Sequence, residues 1–277
     1  MRNVLLEGVV GSSAYGLATA DSDIDLLGVW AVATEELFGL DTPVETVTTT
    51  TPDGCWHEAA KFTRLALKVN PTVTELLWLP DGSYTVVTDL GFLLVGMRKA
   101  FLSANNVRDA YLGYATSQFK RLAERGDGSF SSDTRARSQK HARHMARLVR
   151  QGHELFTTGE LVVDVSADRD WFFEFSESSP ELWVKWFERE RTVFANANTV
   201  LPDVPNRARV LKWLEVVRNE FLTLELTVLN PHQERSSFGD YPHCVVCGTD
   251  WPCRRQRWAD SRKAGMLRAD SIHYEQP

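Results

Sequence analysis

Long apolar runs are missing from this chain of 277 residues. A membrane-spanning helix needs ~20 consecutive apolar residues, and the best stretch, Val86 to Met97, is broken by Asp89. Cysteine is scarce, with four residues in all, so a disulfide framework is not expected. The opening Met1 to Val10 holds Glu7 inside its apolar run and lacks the small residues of a cleavage site. No signal peptide is therefore expected, and the expected location is the cytoplasm. Neither an internal repeat nor a low-complexity tract occurs. Positive charge is outnumbered, 31 Lys and Arg against 37 Asp and Glu for a net −6, which at face value argues against a nucleic-acid partner.

What is present is ordinary for a folded protein: 43% hydrophobic, 10% aromatic and 25% charged residues exclude wholesale disorder and fibrous classes. The length suits one large domain or two modest ones. Divided by segment, the charge is far from uniform: −9 over residues 1 to 97, +8 over 98 to 150, and −5 beyond. An acidic segment followed by a basic one is what a site handling metal cations and phosphates together would need. Solvated helix faces of opposite sign would give the same partition.

Apolar patterning predicts strands over Asn3 to Val10 and Asp23 to Val32, with Gly11-Ser12-Ser13 ending the first and a short helical turn over Ala14 to Ala18. Thr34 caps a short helix through Leu40, and the β-branched Glu45 to Thr51 reads as a strand before a Pro52-Asp53-Gly54 turn. Helical periodicity begins near His57, where Phe62, Leu65, Ala66 and Val69 share a face, and stops before Pro71. Further helices are expected over Thr72 to Leu79, Leu90 to Leu102, Val107 to Ala123, Thr134 to Phe156, Pro180 to Asn196 and Asn206 to Leu229. A strand is expected at Leu161 to Val165, and the small, polar 126 to 133 segment reads as a linker.

The informative stretch is Gly11-Ser-Ser-Ala-Tyr-Gly-Leu-Ala-Thr-Ala-Asp-Ser-Asp-Ile-Asp-Leu-Leu-Gly28. Side chains alternate along a strand, so Asp23 and Asp25 at a strand start point together. Two adjacent carboxylates repel unless a cation joins them, and all-oxygen ligands suit Mg²⁺ or Mn²⁺. Upstream, Gly11, Ser12 and Ser13 lie where a strand ends and a helix opens, a place whose free N–H groups favour phosphate. A phosphate cradle and a carboxylate pair within fifteen residues describe a nucleoside-triphosphate site with two metal ions.

Gly11-Ser12 followed by Asp23-Ile24-Asp25 resembles the signature of the DNA polymerase β nucleotidyltransferase superfamily. The fuller string resembles its RNA-repair-associated branch, RlaP, as do Lys61-Phe62, Asn70-Pro71 with Glu75-Leu76-Leu77, Lys140-His141 with His144, Arg147 and Leu148, and Leu201-Pro202. The resemblance covers about residues 3 to 215. It implies an α+β fold, a small mixed sheet with helices, and two Mg²⁺ or Mn²⁺ ions. It also implies transfer of a nucleoside monophosphate from an NTP to an acceptor hydroxyl, with pyrophosphate leaving. Ser12 would hold the β and γ phosphates, and Asp23 and Asp25 would ligate both metals. A third carboxylate on a neighbouring strand normally completes such a site; Asp53 is favoured, with Glu45 and Glu58 as alternatives. The branch's name points to RNA or tRNA as acceptor. A protein hydroxyl, as in nucleotidylylating toxins, and a non-catalytic nucleic-acid adaptor are the other readings.

On the helix from Thr134, Lys140, His144 and Arg147 recur at i, i+4 and i+7, with Arg143 and Arg150 beside them, a stripe suited to phosphates. A salt-bridged helix between domains is the plainer explanation. Lys61 is a candidate pocket lysine, and Glu75 a candidate support for it. Cys244, Cys247 and Cys253 form Cys-x2-Cys-x5-Cys, a pattern that favours Zn²⁺, with His243, His232 or His273 as fourth ligand. Arg254, Arg255, Arg257, Arg262, Lys263 and Arg268 follow around Trp258, as contact with nucleic acid would require. Cys55 reads as a core residue. The expected organisation is a catalytic domain over 1–126, a helical domain over 134–232 and a zinc-binding basic tail over 233–277.

Overall fold

The computed structural model describes residues 3–20, 22–124, 132–222, 234–235 and 243–244, with the backbone alone at 121–124, 132–134, 234–235 and 243–244. Residues Met1–Leu222 form one compact unit and Thr223–Pro277 another. The first unit is α+β. Its sheet has five strands in the order β3-β4-β2-β1-β5.

Strand β1 (Asn3–Val10) is the apolar run predicted from sequence, and turns into the four-residue helix α1 (Gly11–Ala14). Strand β2 (Asp25–Ala31) returns antiparallel to it, and a 3-10 turn over Thr34–Phe38 leads to β3 (Thr46–Thr50). Strand β4 (Asp53–Glu58) pairs antiparallel with β3 and parallel with β2, while β5 (Tyr84–Val87) flanks β1. Leu6 and Val29, opposite one another in register, and Leu27, two residues before Val29 on the same strand, are buried on the sheet's helix-covered face.

Helix α2 (Ala59–Leu67) starts where Glu58 accepts the Ala60 N–H at 2.7 Å, and buries Phe62 and Ala66. Helix α3 (Pro71–Glu75) has proline in its first turn, where the missing N–H costs nothing, and Asn70 as its cap. Thr88 caps α4 (Asp89–Gly96). The long helices α5 (Ala104–Glu124) and α6 (Ser132–Thr158) pack along each other, followed by α7 (Arg169–Glu177), α8 (Pro180–Ala195) and α9 (Arg207–Glu220).

One continuous core joins these layers: Leu6 and Val29 from the sheet, Phe62 from α2, Tyr111 from α5, Met145 and Leu148 from α6, Phe187 from α8 and Trp213 from α9. The boundary expected between 126 and 134 therefore does not separate two packed bodies, because the helices expected as a second domain bury the same apolar residues as the sheet. Among the described residues no helix is long and apolar enough to cross a membrane.

The sequence reading places no strand at β4 or β5 and no helix at α7. The helical turn expected at Ala14 to Ala18 begins three residues earlier, and the helix expected to reach Leu229 ends at Glu220, capped by Phe221. Leu161 to Val165 forms no strand and lies outside the sheet, tied by the Val165 N–H to the Tyr15 carbonyl at 3.0 Å. In the second unit, β6 (Glu234–Arg235) and β7 (His243–Cys244) pair antiparallel. The side chains of His243 and Cys244, and the other zinc candidates Cys247, Cys253, His232 and His273, lie outside the described residues.

Candidate active site

The site is built where β1 ends. Gly11 adopts φ +69°, in the left-handed region, and an added Cβ would overlap Asp25 Oδ2 and lie 3.1 Å from its Cγ. Glycine is required here both for the backbone and for space. No side chain caps α1, so the amides of Ser12 and Ser13 head the turn.

Register then gathers the carboxylates. Val10 pairs with Asp25, and Asp25 with Asp53, so the first residue of β2 lies between the end of β1 and the start of β4. Neighbouring strands run ~4.8 Å apart. Asp25 is half-buried, whereas Asp53 and Asp23, the latter in the loop ahead of β2, are exposed. Burial raises the Asp25 carboxyl above the ordinary carboxylate range; Asp53 pushes it further up, Lys140 draws it back, and Asp23 adds to the rise. Like charges thus crowd one another beside a single exposed lysine.

Asp53 is, of the three candidates for a third carboxylate, the one that strand register sets beside Asp25. Its proline and glycine flanks suggest a turn, but the turn is Thr51 and Pro52, and Asp53 opens β4. Of the alternatives, Glu58 caps α2 and pairs with Arg218 at 2.7 Å, and Glu45 pairs with Arg64 and, at 3.6 Å, with Lys61. Neither neighbours Asp25 in the sheet. Lys61 does not reach the carboxylates: it sits with Glu45 and His57, and His57 is four residues, or ~13 Å of strand, beyond Asp53. Burial and Lys61 together lower the His57 pKa.

The basic stripe on α6 is real but does not face one environment. Lys140 is exposed and within electrostatic reach of Asp25; His144 is half-buried, its Nδ1 3.1 Å from the Arg147 guanidinium; Arg147 is 3% exposed. Arg147 is thus a correction to the phosphate-binding expectation, because its guanidinium is committed inside the protein. It lies 3.6 Å from the Glu75 carboxylate and 2.6 Å from Gln151 Oε1, and stacks 3.6 Å above the Tyr15 ring. Arg150 pairs with Asp168 at 2.6 Å, and Arg143 donates to the Ser176 hydroxyl at 2.9 Å. Much of the helix's charge is therefore spent on internal contacts.

Sequence reasoning missed the layer behind the turn. Tyr15 donates its hydroxyl to Glu75 Oε2 at 2.7 Å, and Glu75 is buried. Burial raises the Glu75 carboxyl to about 7, against the opposing pull of Arg147, Tyr15 and the Gly11 amide. That amide favours the ionised carboxyl without the alignment of a full hydrogen bond, and among the described residues Oε1 has no hydrogen-bond partner. Arg169 donates to the Ala18 carbonyl at 2.7 Å and also to that of Gly16, whose φ is +68° and whose missing Cβ would lie 2.5 Å from Ser166 Cβ. Tyr15 and Gly16 stand inside the informative string, so the signal was present; Glu75 as their partner, sixty positions away, had none.

Among the described residues no three His, Cys, Asp or Glu side chains form a ready metal cage. The donor set at Asp23, Asp25 and Asp53 is nevertheless all oxygen, and burial first, then Asp53 and Asp23, disfavour the Asp25 charge in a way that a divalent cation would offset. The residues present fit Mg²⁺ or Mn²⁺. Compared with known proteins, residues 2–170 match the family model described as RlaP: RNA repair pathway DNA polymerase beta family. No curated protein matches the chain.

Proposed function

We propose that this chain, which belongs to RlaP, the RNA repair pathway DNA polymerase beta family, moves a nucleoside monophosphate from an NTP to an acceptor hydroxyl at an RNA end. The observation that carries this reading is the pairing of Asp25 with Asp53 beside the Gly11 turn. An adaptor with a vestigial pocket would have no reason to keep a third carboxylate in register with the pair.

In this reading the Ser12 and Ser13 amides and hydroxyls bind the β and γ phosphates, with Lys140 adding a positive charge at the open side of Asp25. Asp53, exposed at the start of β4, accepts the proton of the acceptor hydroxyl. The hydroxyl oxygen bonds to the α-phosphorus as the bond to the β-phosphate oxygen breaks, and pyrophosphate leaves. Mg²⁺ or Mn²⁺ held by Asp23, Asp25 and Asp53 would supply charge neutralisation at the triphosphate. Burial of Asp25 and its crowding by Asp53 in register and Asp23 in the preceding loop are what that neutralisation would offset.

The test is incubation with each labelled NTP, Mg²⁺ or Mn²⁺, and either total RNA or total protein. The expected result is label in the RNA pool, lost in Asp25→Ala and Asp53→Ala. Label in protein would move the acceptor to a protein hydroxyl. No pyrophosphate release with any NTP and acceptor would overturn the enzyme reading.

A further inference from the structure

The buried assembly of Tyr15, Glu75 and Arg147 is not used by the chemistry above, yet it touches the turn on which that chemistry stands. We propose that Tyr15, held by Glu75 and Arg147, is a positioning residue that sets the Gly11–Ser13 turn against the Asp25 carboxylate. The proposal rests on the metal-dependent transfer reading and goes beyond it by assigning how the site is kept in shape.

The geometry runs in four links. Arg147 and Glu75 are anchored deep in the protein, with side chains 4% and 3% exposed. Their two groups grip Tyr15 from different directions: Glu75 accepts its hydroxyl at 2.7 Å, and the Arg147 guanidinium lies 3.6 Å over its ring. Tyr15 closes α1, its N–H bonded to the Gly11 carbonyl at 3.1 Å and its own carbonyl accepting the Val165 N–H at 3.0 Å. Gly11 in turn packs so tightly on Asp25 that no Cβ fits between them. A shift of Tyr15 by a few tenths of an ångström is therefore passed to Asp25 rather than absorbed.

Burying an ion pair is a poor way to gain stability, since desolvation offsets the attraction. The pair makes sense as a fixed post. Glu75 receives the Tyr15 hydroxyl and faces the Arg147 guanidinium through the same oxygen, Oε2, so a glutamine presenting its carbonyl oxygen there keeps the Tyr15 bond, whereas a leucine offers no acceptor. Tyr15→Phe removes the hydroxyl and leaves the ring under Arg147. Outer-shell partners of metal ligands typically change metal affinity ~10–100-fold when altered.

Mn²⁺ binding, followed by the loss of its free-ion electron paramagnetic resonance signal, is measured on the full chain without nucleotide. Expected are a dissociation constant raised ~10-fold in Tyr15→Phe and in Glu75→Leu, no further rise in the double variant because both remove the same bond, and a near-native constant in Glu75→Gln, which keeps the acceptor. Asp25→Asn serves as the ligand control. Folded Tyr15→Phe or Glu75→Leu protein that binds Mn²⁺ as the native protein does would overturn the positioning role, as would additive effects in the double variant. Should Glu75→Leu fail to fold, Tyr15→Phe alone decides. If the native protein binds Mn²⁺ with this dependence but transfers no nucleotide, the transfer reading fails while the positioning role stands. A native protein that binds no Mn²⁺ overturns both.

Discussion

Replacing Gly11 by alanine should separate the site's geometry from its chemistry. At φ +69° a residue with a Cβ costs ~1–2 kcal/mol, and the added carbon overlaps Asp25 Oδ2. For a unit of this size each kcal/mol moves Tm by ~2–4 °C, so the loss should be ~2–8 °C. Asp25 must also move aside, and a displacement approaching 1 Å at a reacting centre costs ~100-fold in rate. Gly113 supplies the internal comparison: it lies exposed inside α5 with nothing within 4 Å of an added Cβ. Gly113→Ala should stabilise the protein by ~0.5–1 kcal/mol, since glycine is a poor helix residue. Thermal melts and labelled-nucleotide transfer on both variants check the pair. Gly11→Ala with native Tm and transfer within threefold of native would refute the argument that this turn is packed on the carboxylate.

The remaining predictions concern charge. The Glu75 carboxyl, at about 7 in the folded protein against an ordinary 4.5, keeps its proton longer when folded than when unfolded. The stability this contributes is present in full below pH ~4.5 and is lost as pH rises through ~7, an effect on the order of 3 kcal/mol. Melts of metal-free protein between pH 5 and 8 should fall in Tm with rising pH, and Glu75→Gln should flatten that slope. Arg218→Ala strands Glu58, which is 4% exposed, without its partner 2.7 Å away; denaturant unfolding should show a loss of ~3–5 kcal/mol. Asp25→Asn removes a charge raised by burial, Asp53 and Asp23, so calorimetry without metal should give a higher Tm than native, while transfer disappears.

How much of this was legible in the sequence differs by residue. The strand at Asn3 to Val10, the Gly11 turn and the Asp23/Asp25 pair could be read because each depends on neighbours within a few positions: turn chemistry and period-two alternation. Asp53 was half-legible. Its proline and glycine flanks imitate a turn, and only pairing with β2 turned the following residues into a strand. Lys61 was misplaced, since spacing along the chain cannot tell which end of β4 its helix stands over.

The α6 stripe shows the division most plainly. Lys140 and Arg147 are both cations on one helix face two turns apart, and periodicity assigned them one role. Helix packing decided otherwise, leaving Lys140 exposed beside Asp25 and burying Arg147 on Glu75 and Tyr15. The sequence by itself determined the local elements, the carboxylate motif and the family. Only the tertiary structure decided which charge meets which, because electrostatic partners are chosen by strand register and helix docking across sixty or more residues, and nothing in the order of the chain records those distances.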